Sequence, residues 1–120
     1  MSGVTKHIFE HELDDILSMW NTEIKSVTPL LPRKYTKADI IALLKYYYPH
    51  EWQSVESKYK YYRTKDKYLK RRFGKSRYNM SEPELLIQRV SAFKKIFSES
   101  YKYAHWNAYS ERNRVDSSVK

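Results

Sequence analysis

The chain has 120 residues and a formal net charge of +9, and this length suits a single domain. The absence of cysteine excludes disulfides, thiolate metal sites and a cysteine nucleophile, and two glycines are too few for a glycine-rich phosphate loop. Twelve tyrosines, four phenylalanines and three tryptophans provide enough aromatic area for a folded core, so the composition argues against disorder.

Nothing in the sequence indicates a membrane span or a leader. The apolar runs are too short to cross a bilayer, and the first residues do not show the basic-then-apolar pattern of a signal peptide. We therefore expect an intracellular protein, in the cytoplasm or, in a eukaryote, in the nucleus.

The first predicted element is an acidic helix over residues 8–26. Its apolar residues recur at three- and four-residue steps, which is typical of a helix with one buried face. These residues are Leu13, Ile16, Leu17, Trp20 and Ile24.

A proline-containing linker is predicted over residues 27–35, because proline lacks a backbone N–H and restricts the residue before it. Thr36 is a good helix N-cap, and Asp39 at the third helical position suits the positive end of the helix dipole. The sequence therefore predicts a second helix from Thr36 to Pro49.

Pro49 also suits the first turn of a third helix, and Gly74 suits the residue that ends one. Together the second and third helices form a basic segment over residues 36–74. The predicted core side of the third helix carries Trp52, Val55, Tyr59, Tyr62, Leu69 and Phe73.

The last predicted element is a long C-terminal helix over residues 81–111. Ser81 followed by Pro83 and Glu84 matches a capping box with proline in the first turn. The polar tail over residues 112–120 is expected to fray. The sequence thus predicts an all-α fold, a small bundle of about four helices in one domain over residues 1–111.

Charge is divided unevenly along the chain. Residues 1–30 carry a net charge of −3, residues 31–79 carry +10 and residues 80–120 carry +2. A strongly basic middle segment indicates an anionic partner.

A row of cations interleaved with tyrosines lies on the side of the third helix away from its apolar stripe. Cations contact phosphates, and aromatic rings stack on unpaired bases. The sequence therefore predicts a non-enzymatic DNA- or RNA-binding protein, a regulator that contacts phosphates through this row and stacks bases on its tyrosines. The predicted contact residues are Lys60, Tyr61, Lys65, Lys67, Tyr68, Lys70, Arg71, Arg72, Lys75 and Arg77.

Other interpretations of the same residues stay open. Tyr, Trp and Arg also dominate protein interfaces, so the alternative function is an adaptor or inhibitor that docks this basic aromatic surface on an acidic groove of a partner protein. Alternatively, Tyr61 and Tyr68 pack on the fourth helix and the lysines are only solvated. Trp106 suits either an interface or, as we expect, a cover over the end of the bundle. Membrane binding is not expected, because the apolar faces are needed for the core.

No constellation for catalysis or metal binding is evident. His7, His11, Asp14 and Asp15 lie on one side of the first helix, where a zinc site would need a further ligand from another element. We expect these residues to form polar surface. The sequence therefore predicts no enzymatic activity, no catalytic residues, no metal and no cofactor, and it sets no oligomeric state.

Overall fold

The computed structural model describes the backbone of residues 2–119 and the side chains of residues 6–110. Within these residues the fold consists of six α-helices and two short 3₁₀ turns, with no strand. The predicted all-α class is confirmed. The predicted set of four helices is wrong in detail, because the segment expected to form the fourth helix is divided into shorter pieces.

Helix α1 spans Ser2–Val27 and is the longest element. Ile16, Trp20 and Ile24 are buried, because a four-residue spacing brings them to one face of the helix. A 3₁₀ turn over Thr28–Leu30 then takes the place of the first part of the predicted extended linker.

Helix α2 spans Lys37–Tyr47 and begins at the predicted cap. The Thr36 Oγ1 accepts a hydrogen bond from the backbone N–H of Asp39, and the Asp39 carboxylate accepts one from the Thr36 N–H at 2.7 Å. This reciprocal pair satisfies two backbone donors that a helix start otherwise leaves free. Ile40 and Leu44 on its inner face are fully buried.

Helix α3 runs without a break over Pro49–Phe73, as predicted. Gly74 follows with φ +80°, a left-handed conformation that glycine adopts without steric cost, and its N–H bonds to the Lys70 carbonyl oxygen at 2.8 Å. Trp52 and Tyr62 are buried, but Phe73, expected on the core side, is 64% exposed. The helix therefore extends beyond the core that its first half packs against.

The C-terminal part contains α4 (Pro83–Leu86), α5 (Ser91–Ile96) and α6 (Glu99–Val119), separated at Val90 by extended backbone and at Phe97. These three helices replace the predicted single helix over residues 81–111.

The break at Val90 has a packing cause. Adjacent residues Leu86 and Ile87 are both fully buried, and Ala92 and Phe93 are buried as well. Neighbours on a straight helix point about 100° apart, so a bend lets more than one side of this segment reach the same core. The Asn21 Oδ1 of α1 accepts a hydrogen bond from the Ala92 N–H at 2.9 Å. This bond gives a partner to a backbone N–H that the start of α5 leaves without one inside the helix.

The predicted capping box at Ser81 is also wrong. The cap of α4 is Glu82, whose side chain makes no capping hydrogen bond. The predicted fraying of residues 112–120 stays untested, because the side chains from residue 111 onward lie outside those described.

Two hydrophobic clusters hold the helices together. The larger one joins α1, α2, the first half of α3 and the segment from α4 to α5. The smaller one is built from Phe9, Tyr62 and Tyr78, whose rings lie 4.7–5.1 Å apart between centroids. No helix in the described part of the chain is long and apolar enough to pass through a bilayer.

Candidate functional site

The ten residues of the predicted contact row are termed the basic surface. Eight of them lie on α3, and Lys75 and Arg77 lie on the loop that follows it. Tyr61 is 55% exposed and Tyr68 is 53% exposed, so neither ring is enclosed by a neighbouring helix. The Lys65 Nζ lies 5.2 Å from the centre of the Tyr61 ring, a cation–π distance.

Asp66 ties the loop to α3. Its carboxylate accepts three backbone hydrogen bonds, from Arg77 and Tyr78 at 2.9 Å each and from Asn79 at 2.7 Å. Burial opposes the charge of Asp66, but the three N–H donors outweigh it and lower the pKa of this carboxyl group. Residue type gives no signal for this role of Asp66, because the backbone donors of a loop can belong to any residue except proline.

A pocket of about 370 Å³ lies between the linker and α6 and is termed the linker pocket. The linker contributes two cations and a tyrosine, and α6 contributes a carboxylate, a lysine and two aromatic rings. The lining residues are Arg33, Lys34, Tyr35, Glu99, Lys102, Tyr103 and Trp106.

Several contacts fix the linker against α5 and α6. The Tyr35 hydroxyl donates to the Ile96 carbonyl oxygen, and its ring lies 5.1 Å from the His105 imidazole between centroids. The His105 Nε2 lies 3.0 Å from the Pro32 carbonyl oxygen. Burial, with a contribution from Tyr101, raises the pKa of Tyr35 to about 12, so this hydroxyl keeps its proton and remains a donor at neutral pH.

The electrostatics of the linker pocket favour an anion. The Arg33 guanidinium carbon lies 3.8 Å from the centre of the Trp106 ring, a stacked arrangement. Lys102 lies 4.0 Å from Glu99, an exposed pair that contributes little attraction. Three cations therefore face one carboxylate beside aromatic rings, an arrangement suited to a planar ligand with negative charge.

Sequence reasoning missed most of this site. Arg33, Lys34 and Tyr35 fall within the predicted linker, and the prediction for Trp106 is a cover over the end of the bundle. Trp106 is 36% exposed, so it closes only part of that end. The available signal was a cation pair followed by tyrosine directly after Pro32, but its partners on α6 lie more than sixty residues away in sequence.

The histidines and acidic residues of α1 do not form a larger cluster. His11 Nδ1 lies 3.4 Å from an Asp15 carboxylate oxygen, and both side chains are largely exposed. Within the described residues, no three His, Cys, Asp or Glu side chains come together in a way that could hold a metal ion.

Comparison with known proteins adds one relative. The chain is 26% identical over 99 residues to a protein of Cytobacillus dafuensis that is provisionally named cyclic ADP-D-ribose synthase TIR2. The aligned stretch covers 82% of this chain and 26% of the relative, so the chain spans about a quarter of the length of the curated relative that it matches. No family model and no solved structure matches the chain.

This comparison contradicts the predicted function. The name of the relative describes an enzyme that forms a cyclic nucleotide derivative, rather than a DNA- or RNA-binding regulator. The prediction of a non-enzymatic nucleic-acid-binding protein is therefore wrong, and the expectation that the chain has no enzymatic role loses its support. The basic surface exists as a structural feature, but its predicted role does not follow from it.

Proposed function

We propose that this chain is a helical module of an enzyme that forms a cyclic ADP-ribose nucleotide. The observation that supports this proposal is the similarity to the Cytobacillus relative, which extends over 82% of the chain. The same alignment accounts for only 26% of the relative, so the module corresponds to one part of a larger enzyme.

Within such an enzyme, the module binds and positions a nucleotide while other parts supply the reacting groups. The linker pocket combines cations and aromatic rings, which are groups for binding. Its single carboxylate, Glu99, has a side chain that is 96% exposed, whereas acid–base catalysts are usually tuned by a partly desolvated environment. The pocket therefore favours a binding role over complete catalysis.

A surface for contact with the rest of the enzyme is also proposed. Tyr61 and Tyr68 are each more than half exposed and lie seven residues apart on the same side of α3. Exposed aromatic rings grouped on one element are typical of protein interfaces. The protein partner of the alternative interpretation of the sequence would then be the remainder of the enzyme. Replacing both tyrosines with serine should weaken co-purification with that remainder without lowering the melting temperature of the module.

A chimera tests the proposed function. The 99-residue stretch of the Cytobacillus protein that aligns with this chain is exchanged for the corresponding part of this chain. The product is incubated with nicotinamide adenine dinucleotide, an ADP-ribose donor, and cyclic ADP-ribose is measured by chromatography and mass spectrometry. We expect the chimera to form the cyclic product at a rate within about tenfold of the unmodified relative, the factor that corresponds to 1.4 kcal/mol in the barrier.

The matched control carries an unrelated helical segment of the same length at the same position. The proposal requires this control to be inactive while the chimera is active. Equal activity of the two would overturn it, because the aligned stretch would then contribute nothing beyond its length. An inactive chimera beside an active relative would overturn it as well.

A further inference from the structure

We infer that the linker pocket binds a nucleotide bearing a diphosphate, with the phosphates on its cations and the base against its aromatic rings. The choice of an ADP-ribose nucleotide rests on the proposed function. The binding geometry itself rests on the side chains of the pocket.

The diphosphate is recognised by Arg33 together with Lys34 and Lys102. The Arg33 guanidinium is stacked on Trp106 at 3.8 Å, and a guanidinium held by its face keeps its N–H groups free at the edge. Those N–H groups match two phosphate oxygens at once. Lys34 adjoins Arg33 in the chain, and Lys102 lines the opposite side of the pocket from α6. A ligand with two phosphates can therefore use cations from both walls.

The base is recognised by the rings of α6. Tyr103 is 70% exposed and Trp106 is 36% exposed, which leaves aromatic surface open in the pocket although Arg33 covers part of Trp106. Aromatic side chains stack on the flat face of any base. Ring surface beside cations therefore favours a nucleotide over a simple anion.

The size and stiffness of the pocket limit the ligand to a small molecule. A volume of about 370 Å³ lies in the lower part of the range of small-molecule sites, about 300–1,000 Å³. The contact between His105 of α6 and Pro32 joins the two walls, and the hydrogen bond from Tyr35 to Ile96 holds the linker wall against α5. Because the walls are fixed in advance, binding loses little free energy to ordering of the chain.

Tryptophan fluorescence gives a local probe of this site. Trp20 is fully buried and Trp52 is 3% exposed, whereas Trp106 is the tryptophan that reaches the pocket. Titration with ADP-ribose and with cyclic ADP-ribose should quench the emission of Trp106, and Trp106→Phe should abolish that change. Adenosine, which lacks phosphates, and inorganic diphosphate, which lacks a base, should each bind at least about tenfold more weakly, since each omits one set of contacts.

Calorimetry with pocket variants completes the test. Arg33→Ala should weaken the binding of ADP-ribose at least about tenfold, because it removes a charge-assisted bidentate contact. Lys94→Ala removes an exposed cation of α5 outside the pocket and should leave binding unchanged. Circular dichroism melts of both variants should match that of the unmodified chain, since both side chains are exposed.

Two results would overturn the inference. One is the absence of a calorimetric signal with millimolar ADP-ribose, and the other is equal affinity for inorganic diphosphate, which would reduce the pocket to an anion site. Failure of the proposed function is distinguishable from both. An inactive chimera together with ADP-ribose binding that depends on Arg33 would refute the enzymatic module but leave the nucleotide site in place.

Discussion

Glu23 on α1 makes the stability of this protein depend on pH. Glu23 is only 6% exposed, and its side-chain Oε1 has no hydrogen-bond partner. Burial raises the pKa of Glu23 from 4.5 to about 7, and the nearby charge of Glu51 adds to the effect. Residue type does not distinguish Glu23 from the other carboxylates of the acidic segment, so the sequence does not indicate its burial.

The magnitude follows from the difference in pKa between the folded and unfolded chains. The unfolded chain ionises Glu23 above a pH of about 4.5, while the folded protein holds the proton until about pH 7. Stability attributable to this group is therefore undiminished below pH 4.5, falls between pH 4.5 and 7, and is constant above that range. At about 1.4 kcal/mol per pKa unit, the loss is about 3 kcal/mol.

Glu23→Gln removes this titration, because an amide of similar size does not ionise. We compare the unfolding free energy of the variant with that of the unmodified chain at each pH. We expect this difference to favour the variant by about 3 kcal/mol more at pH 8 than at pH 4.5. For a domain of this size, that difference corresponds to a melting temperature about 10 °C higher. The measurement is urea unfolding, followed by circular dichroism at a series of pH values.

Glu56→Gln is the matched control, because Glu56 is an exposed carboxylate on α3. The difference in unfolding free energy between the Glu56→Gln variant and the unmodified chain should change little with pH. If the Glu23→Gln variant and the unmodified chain lose stability in parallel between pH 4.5 and 8, Glu23 is ionised in the folded protein and the reasoning is refuted.

Two further predictions concern the end of α3. Asp66→Ala removes the acceptor of three backbone N–H groups and should cost about 2–3 kcal/mol in unfolding free energy, with faster hydrogen exchange of the amides at 77–79. Because the pKa of Asp66 is lowered from 3.8 in the folded state, the part of this cost that comes from the charge should be complete at neutral pH and decline as the pH falls below 3.8. Gly74→Ala should cost about 1–2 kcal/mol, measured by urea unfolding, since φ is +80° but an added Cβ meets no atom within 4 Å.

Each of these predictions has a contrary outcome. Unchanged exchange at 77–79 in Asp66→Ala would mean that the loop is held by other contacts. A loss well above 2 kcal/mol in Gly74→Ala would mean that the new methyl group collides with a neighbour, contrary to the open space around this residue.

Local features of the fold were predictable from the sequence because their causes lie within a few residues. The cap formed by Thr36 and Asp39 involves side chains three positions apart, and Gly74 ends α3 through its own backbone freedom. The length of α3 follows from the same kind of information, since Pro49 and Gly74 mark its ends. Such interactions involve residues close together in the chain, so the residue types themselves indicate them.

Other features of the fold arise from contacts between segments that are far apart in the chain, and the sequence did not predict them. The bend at Val90 serves burial of Leu86, Ile87 and Phe93 against α1, and local signals favoured a straight helix there. The linker pocket brings residues 33–35 against residues 99–106, and the pKa of Glu23 depends on what covers it. The helical class, the caps at Thr36 and Gly74 and the charge of each segment follow from residue type and short spacing. Burial, pockets and shifted pKa values arise only when separate segments exclude water from one another.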